Sequence, residues 1–265
     1  MKQKKHTFAI CAYKESAFLE ECILSLKKQE RYSEIFIVTS TPNIFINSIA
    51  KKYQLPVFVN DGESGIVQDW NFGYEKAETP YVTIAHQDDI YFEEYAKQAI
   101  ESIEKMKKPL LYFTDYAEIR KGKEIRTNQL LKIKRMMLWI LRFKWAQRSR
   151  FIRRRILSLG SPICCPSVTL IKKELKGLPF AKGFRSDEDW EAWEKISRQK
   201  GAFIYNKQIL MGHRIHGDSE TTAILGDLAR SAEDYEMFCK FWPKPIAKIL
   251  TKVYSTSENS NRIDE

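Results

Sequence analysis

Tyr81-Val82-Thr83-Ile84-Ala85-His86-Gln87-Asp88-Asp89-Ile90-Tyr91 decides how the rest of the chain is read. Tyr81 to Ala85 is a short apolar, β-branched run of the kind that forms a strand buried on both faces. It stops abruptly at one imidazole, one amide and two adjacent carboxylates. In open α/β sheets ligands bind beyond the carboxyl ends of strands, so this polar stop marks a candidate site. Neighbouring carboxylates repel, and a divalent cation bridging to a phosphate is one way to relieve that. Capping of the following helix by Asp88 or Asp89 is the plainer alternative.

Upstream of this stretch, apolar runs alternate with helical periods. Thr7–Ala12 reads as a first strand, and Ser16 opens a helix with Phe18, Leu19, Cys22, Ile23 and Leu26 on one face. Ile35–Val38 is a second strand, Ile44–Tyr53 a helix, Val57–Val59 a third strand and Ile66–Lys76 another helix. Downstream, Phe92, Tyr95, Ala99, Ile100, Ile103 and Met106 share a helical face, and Leu110–Phe113 and Ser167–Ile171 read as strands. This is the rhythm of a mostly parallel central sheet flanked by helices. Gly160–Pro166 reads as a loop inside one domain, and the residues from Thr251 read as a polar, frayed tail. The expected organisation is one domain over 1–250, including a basic segment at 127–160, and a tail over 251–265.

At 265 residues and 43% hydrophobic composition the chain can bury a large core. Phe8–Ala12 is too short for a secretory signal, and the five cysteines form no CxxC pair, which points to reduced, buried thiols in a cytosolic protein. The net charge of +10 is concentrated: ten Lys and Arg lie between Thr127 and Ile171 with no acid among them. From Leu130 to Leu159 they interleave with Met136, Trp139, Phe143, Trp145 and Phe151, the pattern of an amphipathic helix in an anionic membrane interface. A solvated helical cover over the site fits the same pattern. No apolar stretch reaches the roughly 20 residues of a membrane span.

The chain has no GxGxxG after its first strand and no GxxxxGK[ST], so diphosphate charge must be met by metal or basic side chains. It also has no GxSxG elbow and no HExxH helix. Three further polar clusters stand out. Ala12-Tyr13-Lys14-Glu15 ends the first strand. Asp187-Glu188-Asp189 opens an amphipathic helix carrying Trp190, Trp193 and Ile196, where the acids either supply a general base or complement the helix dipole. His213 and His216 lie in Met211–Gly217 and suit either a metal or phosphate contact or a structural role.

Taken in order, these segments resemble the GT-A glycosyltransferases of family 2, from Phe8 to Thr222. Ala12-Tyr13-Lys14-Glu15 is similar to the family's Ala-Tyr-Asn-Glu strand ending. Gly65–Gly73, with Ala77 and Pro80-Tyr81-Val82, resembles its Asn- and Gly-containing helix. Gln87-Asp88-Asp89 stands where the family has its Asp-x-Asp element, Glu188-Asp189 matches its Glu-Asp pair, and Arg214-Ile215-His216 its Arg-x-His.

The resemblance implies a Rossmann-like GT-A sheet and a metal-dependent, inverting, hexosyltransferase-like enzyme. Asp189, with Glu188, would be the catalytic base. Asp89, with Asp88 nearby, would hold Mg²⁺ or Mn²⁺, and His216 would lie at the same diphosphate. Ala12, Tyr13, Glu15, Asp69, Asn71, Gln87 and Asp88 would line the nucleotide-sugar pocket. The family's base-contacting aspartate after the second strand is missing, and Thr39, Ser40 or Asp61 would stand in, with uridine expected as the base. The expected acceptor is a hydroxyl of a glycan or lipid-diphosphate-linked saccharide in cell-surface polysaccharide synthesis, reached at the inner face of the cell membrane. Three rivals remain: a homologue that binds donor without turnover, a nucleotidyltransferase, which would carry a glycine-rich first loop, and a basic nucleic-acid-binding protein, which leaves the acidic strand ends unexplained.

Overall fold

The computed structural model describes residues 3–63, 65–217 and 228–258. The expected likeness reaching Thr222 therefore ends, over 218–222, outside the described residues. The first half alternates as the apolar runs dictate: β1 (His6–Cys11), α1 (Leu19–Lys27), β2 (Ser33–Thr39), α2 (Ile44–Tyr53), β3 (Val57–Val59), α3 (Ile66–Lys76) and β4 (Tyr81–His86). Asn43 starts α2 by accepting the Ile46 N–H at 2.8 Å, and Gln54 ends it in the left-handed region at φ 54°. Gly73 lets α3 lie close on the sheet, because a Cβ there would sit 3.1 Å from Ala9 and 3.3 Å from Val38.

After β4 the chain reverses through Gln87–Asp89 into β5 (Ile90–Tyr91), then α4 (Tyr95–Glu104), β6 (Pro109–Arg120) and β7 (Lys123–Ile125). The basic segment gives α5 (Gln129–Leu138), α6 (Lys144–Arg148) and α7 (Arg150–Leu157), and β8 (Val168–Ile171), α8 (Glu188–Ser197), β9 (Ala202–Ile215), α9 (Leu228–Cys239) and α10 (Lys244–Glu258) follow. The strands form one sheet in the order β3-β2-β1-β4-β8-β6-β9-β5, with β7 beside β6. β3, β2, β1 and β4 run parallel, as do β6 and β9, whereas β8 is antiparallel to both β4 and β6. Two apolar layers cover its faces, and the fully buried Trp190 and Trp193 of α8 belong to one of them. Truncating either to Ala would cost about 3–5 kcal/mol.

Four expectations are corrected here. Phe92 precedes α4 rather than belonging to it, because β5 intervenes. The strand expected at Leu110–Phe113 continues to Arg120, since its polar residues are buried with partners: Tyr205 Oη donates to Asp115 at 2.7 Å, and Glu118 receives Arg120 and Asn128, each at 2.8 Å. The basic stretch is no single amphipathic helix. Extended backbone at Phe143 and Ser149 breaks it, and Ser149 caps α7 by accepting the Ile152 N–H.

The tail boundary at 250/251 falls inside α10, which continues to Glu258 and packs Tyr254 against Trp190 at 5.6 Å between ring centroids. The residues from Thr251 read as polar, but Tyr254 packs against the same apolar layer as Ala247 and Leu250. The five cysteines are free as expected; Cys22 is buried and the other four are half-buried.

Candidate active site

The carboxyl ends of β1, β2 and β4 converge, and β9 runs past them from the other side of the molecule. Because Ile90 pairs with Gly212 and Tyr91 with Met211, the turn after β4 lies against the last residues of β9. That register brings Asp88 and Asp89 to His213, Arg214 and His216. Asp89 is fully buried; its Oδ1 accepts the Arg214 N–H at 2.8 Å and the His213 Nδ1–H at 3.0 Å. Asp88 Oδ2 lies 3.0 Å from His216 Nε2, and the Asp88 carbonyl accepts Arg214 Nε–H at 2.8 Å. Arg214 also reaches Glu21 at 2.6 Å and lies over Phe18, so it fastens α1, the turn and β9 together.

His86, the last residue of β4, stacks on Trp70 with ring centroids 5.2 Å apart and planes 14° from parallel. His86, Asp88 and Asp89 offer ligand atoms that all lie within 4.8 Å of one another. The set fits a divalent cation, because Asp89 Oδ2 is buried and has no hydrogen-bond partner among the described residues. A carboxylate oxygen buried in that state is costly unless positive charge meets it. Burial lowers the His86 pKa, which keeps the imidazole neutral. Burial alone would lower His213 too, but the Asp89 carboxylate outweighs it and raises that pKa. Asp88 is lowered despite its burial by the His216 hydrogen bond and by His86 and His213.

At the end of β1, Ala12 is buried and Tyr13 is half exposed. Gln87 is taken up by the Tyr13 backbone, its Oε1 accepting from the Tyr13 N–H and its Nε2 donating to the Tyr13 carbonyl, each at 3.0 Å. Ser40 and Asp69 do meet: Ser40 Oγ–H donates to Asp69 Oδ2 at 2.7 Å, while Asn60 Nδ2 donates to Oδ1 at 2.8 Å. Asn60 was not singled out in the sequence, though it follows β3 at a strand end. Glu15 and Asp61 are exposed at the same rim. Asn71 departs from expectation. Its amide donates to the Phe180 carbonyl at 2.9 Å and accepts the Phe180 N–H at 3.3 Å, so it anchors the 180 loop instead of lining an open pocket.

Asp189 sits in the first turn of α8, half-buried beside the buried Glu188. Burial pushes the Asp189 pKa up to about 6, against the opposing charge of Lys134. A carboxylate at that value is poised to accept a proton near neutral pH. Burial pushes the Cys164 thiol well up, and the charges of both Asp89 and Asp189 raise it further. Lys134, from the basic segment, donates to Tyr116 Oη at 3.0 Å, and the Tyr116 ring contacts that of His213 at 6.2 Å. Lys134 is one of the ten cations of the basic segment, and the packing of α5 on β6 brings it here.

The Rossmann-like sheet thus carries a strand-end cluster that suits a cation and, on α8, a half-buried carboxylate whose pKa burial raises. The sequence profile of glycosyl transferase family 2 matches residues 7–177, and the chain belongs to that family. No curated protein matches it closely enough to count. Among solved structures it resembles TarS residues 1–349 of S. aureus in complex with UDP-GlcNAc, with a TM-score of 0.63 and 14% identity over 97% of this chain and 73% of that one. It also resembles the mannosyltransferase PcManGT of Pyrobaculum calidifontis in complex with GDP-Man and Mn²⁺ (TM-score 0.61, 13% identity, 98% and 72% covered). Glucosyl-3-phosphoglycerate synthase of Mycobacterium tuberculosis with Mn²⁺ and UDP-glucose gives 0.58 at 12% identity, covering 89% and 79%. These likenesses establish the shared GT-A fold.

Proposed function

We propose that the chain transfers a hexosyl group from a nucleotide-diphosphate sugar, with uridine as the base, to a hydroxyl of a glycan or lipid-linked saccharide, with inversion. The observation that carries this reading is the pairing of a cation-suited cluster at the end of β4 with Asp189, whose pKa burial raises to about 6. Support for uridine comes from the UDP-sugars in two of the three relatives named above, the third holding GDP-mannose.

In this reading the rim formed by Ala12, Tyr13, Glu15, Ser40, Asp61 and Asp69 receives the nucleoside. Asp88 and Asp89 would hold Mg²⁺ or Mn²⁺, with His216 at its edge through Asp88. Such an ion, when bound, neutralises the diphosphate as negative charge develops on it. Asp189, seconded by Glu188, accepts the proton of the acceptor hydroxyl. The acceptor oxygen forms its bond to the anomeric carbon from the opposite face, and the bond to the diphosphate oxygen breaks with its electron pair. A single displacement of this kind inverts the anomeric centre.

The basic segment supports a peripheral site of action at the inner face of a membrane. No helix among the described residues is long and apolar enough to cross one. Met136, Trp139, Phe143, Trp145 and Phe151 are exposed, between 44% and 73%, among the exposed cations Lys132, Arg142, Lys144, Arg148, Arg150 and Arg155. Such a surface suits anionic lipid.

The test is nucleoside-diphosphate release across a panel of nucleotide sugars, with and without Mn²⁺, for wild type, Asp88→Asn and Asp189→Asn. Metal-dependent release from one donor, lost in both variants, is the expected result. Tight donor binding without release under any acceptor would instead identify a homologue that no longer turns over. Failure to bind any nucleotide sugar would end the proposal.

A further inference from the structure

We infer that His86 is a nitrogen ligand of the cation at this site and that it biases the site toward transition-metal ions over Mg²⁺. The inference rests on the metal-assisted reading above. It adds to that reading a donor atom that the acidic residues do not supply, and a preference that follows from it.

The geometry is specific. His86 Nδ1 lies 3.9 Å from Asp89 Oδ2. That is too long for a hydrogen bond. It is short enough for one cation to touch both atoms, since two metal–ligand bonds of about 2.1 Å reach about 4.2 Å when opposed. Asp89 is 0% exposed, and its two oxygens are treated unequally: Oδ1 takes both the His213 and the Arg214 donors. Those two bonds fix the carboxylate plane and leave Oδ2, with no partner among the described residues, turned toward His86. Asp88 completes the triad, with its ligand atom within 4.8 Å of the other two. Gln87 is withdrawn from the set by its two bonds to Tyr13.

The imidazole is also held in place. Metal-bound histidines commonly fix their ring plane through a hydrogen bond from the second nitrogen. His86 Nε2 is buried and has no such partner among the described residues. Stacking on Trp70 at 5.2 Å and 14° does that work instead, and leaves the ring edge facing Asp89. Mg²⁺ prefers an all-oxygen octahedron and sheds water reluctantly, whereas imidazole nitrogen favours ions later in the first transition row. One nitrogen beside two carboxylates therefore shifts the balance away from Mg²⁺ without excluding it.

The experiment is Mn²⁺ binding followed by electron paramagnetic resonance on the full chain, with Mg²⁺ as competitor and pulsed detection of ¹⁴N coupling. Wild type, His86→Asp, His216→Asn and Asp88→Asn are compared. The expected result is a ¹⁴N coupling in wild type that persists in His216→Asn and disappears in His86→Asp, with the Mn²⁺-over-Mg²⁺ preference falling about tenfold or more in His86→Asp. An unchanged coupling and a preference within about twofold in His86→Asp would overturn the inference. Should His86→Asp fail to fold by circular dichroism, His86→Asn, neutral and of similar size, is read with the same criteria.

The two readings fail separately. Wild-type binding that Asp88→Asn abolishes and His86→Asp leaves unchanged removes this inference alone. No Mn²⁺ or Mg²⁺ binding in wild type removes the metal from the proposed function as well.

Discussion

Arg153 closes the helix that carries Asp189: its Nε–H donates to the carbonyl of Ser197, the last residue of α8, at 2.9 Å. Its other guanidinium nitrogens reach the carbonyls of Gln199 and Gly201. Three backbone acceptors at a helix end are thus satisfied by one side chain that is 1% exposed. Arg154 adds a 2.6 Å ion pair to Glu194 on the same helix. Part of the basic segment is therefore a structural clamp on the helix that carries Asp189.

Arg153→Met should destabilise the protein by about 3 kcal/mol or more, because hydrogen bonds to a charged group are lost and the carbonyls stay buried. Arg150→Met, at an exposed neighbouring position, should change stability by less than about 0.5 kcal/mol. Urea denaturation of the two variants, compared with wild type, measures the difference.

Asp189→Asn should lower kcat by about 10²–10⁴-fold while leaving donor affinity within about threefold, as expected for loss of a general base. A base must be ionised to act. With the Asp189 pKa at about 6, kcat/KM should rise with pH through about 6 and fall about tenfold per unit below it. A pH profile of kcat/KM, alongside calorimetric donor titration, checks both parts. Flat kcat/KM between pH 5 and 8 would assign the base elsewhere.

Gln87→Ala should release the backbone at the end of β1 around Tyr13, which the proposed function puts at the nucleoside. Two neutral hydrogen bonds of about 1 kcal/mol each are lost, so donor affinity should weaken about five- to thirtyfold with little effect on stability. Gln87→Glu keeps the acceptor but loses the donor and should fall between wild type and Gln87→Ala. Donor Kd by calorimetry orders the three.

Replacing Trp139, Trp145 and Phe151 together with Ser should reduce binding to vesicles containing anionic lipid, because these exposed rings would provide the apolar part of the contact. Neutral vesicles should recover less wild-type protein than anionic ones, and added salt should weaken the difference. Vesicle flotation reads each case. Equal recovery of wild type and the triple variant would confine the segment to its clamp and cover roles.

The fold was legible where the sequence is simple. Apolar runs such as Phe8–Ile10 and Ile35–Val38 can be little else than buried strands, and α2, β3 and α3 fall where the pattern puts them. The second half was harder for a physical reason. β6 contains Thr114, Asp115 and Glu118, all buried, and periodicity counts such residues as outward-facing unless their partners are known. The partners of Asp115 and Glu118 include Tyr205, Arg135 and Asn128, which come from other elements of the chain.

The site divides in the same way. His86, Asp88, Asp89, His216 and Asp189 stand at recognisable strand and helix ends, while Asn60 and Lys134 gain their contacts only through tertiary packing. A histidine ending a strand beside two aspartates was a signal available in the sequence. Nothing local marks Lys134.

The pairing of β5 with β9 also governs when the site can exist. Asp89 meets His213 at a separation of 124 positions in the sequence, and Asp88 meets His216 at a separation of 128. Contacts of such long separation form late, after the loop between them has closed. During synthesis β1 to β4 can form with their apolar helices early, yet the carboxylates at the end of β4 remain without His213 and His216 until residue 216 has emerged. Charge repulsion is thus carried by the growing chain while everything from β5 to β9 is made, and relieved by that long strand.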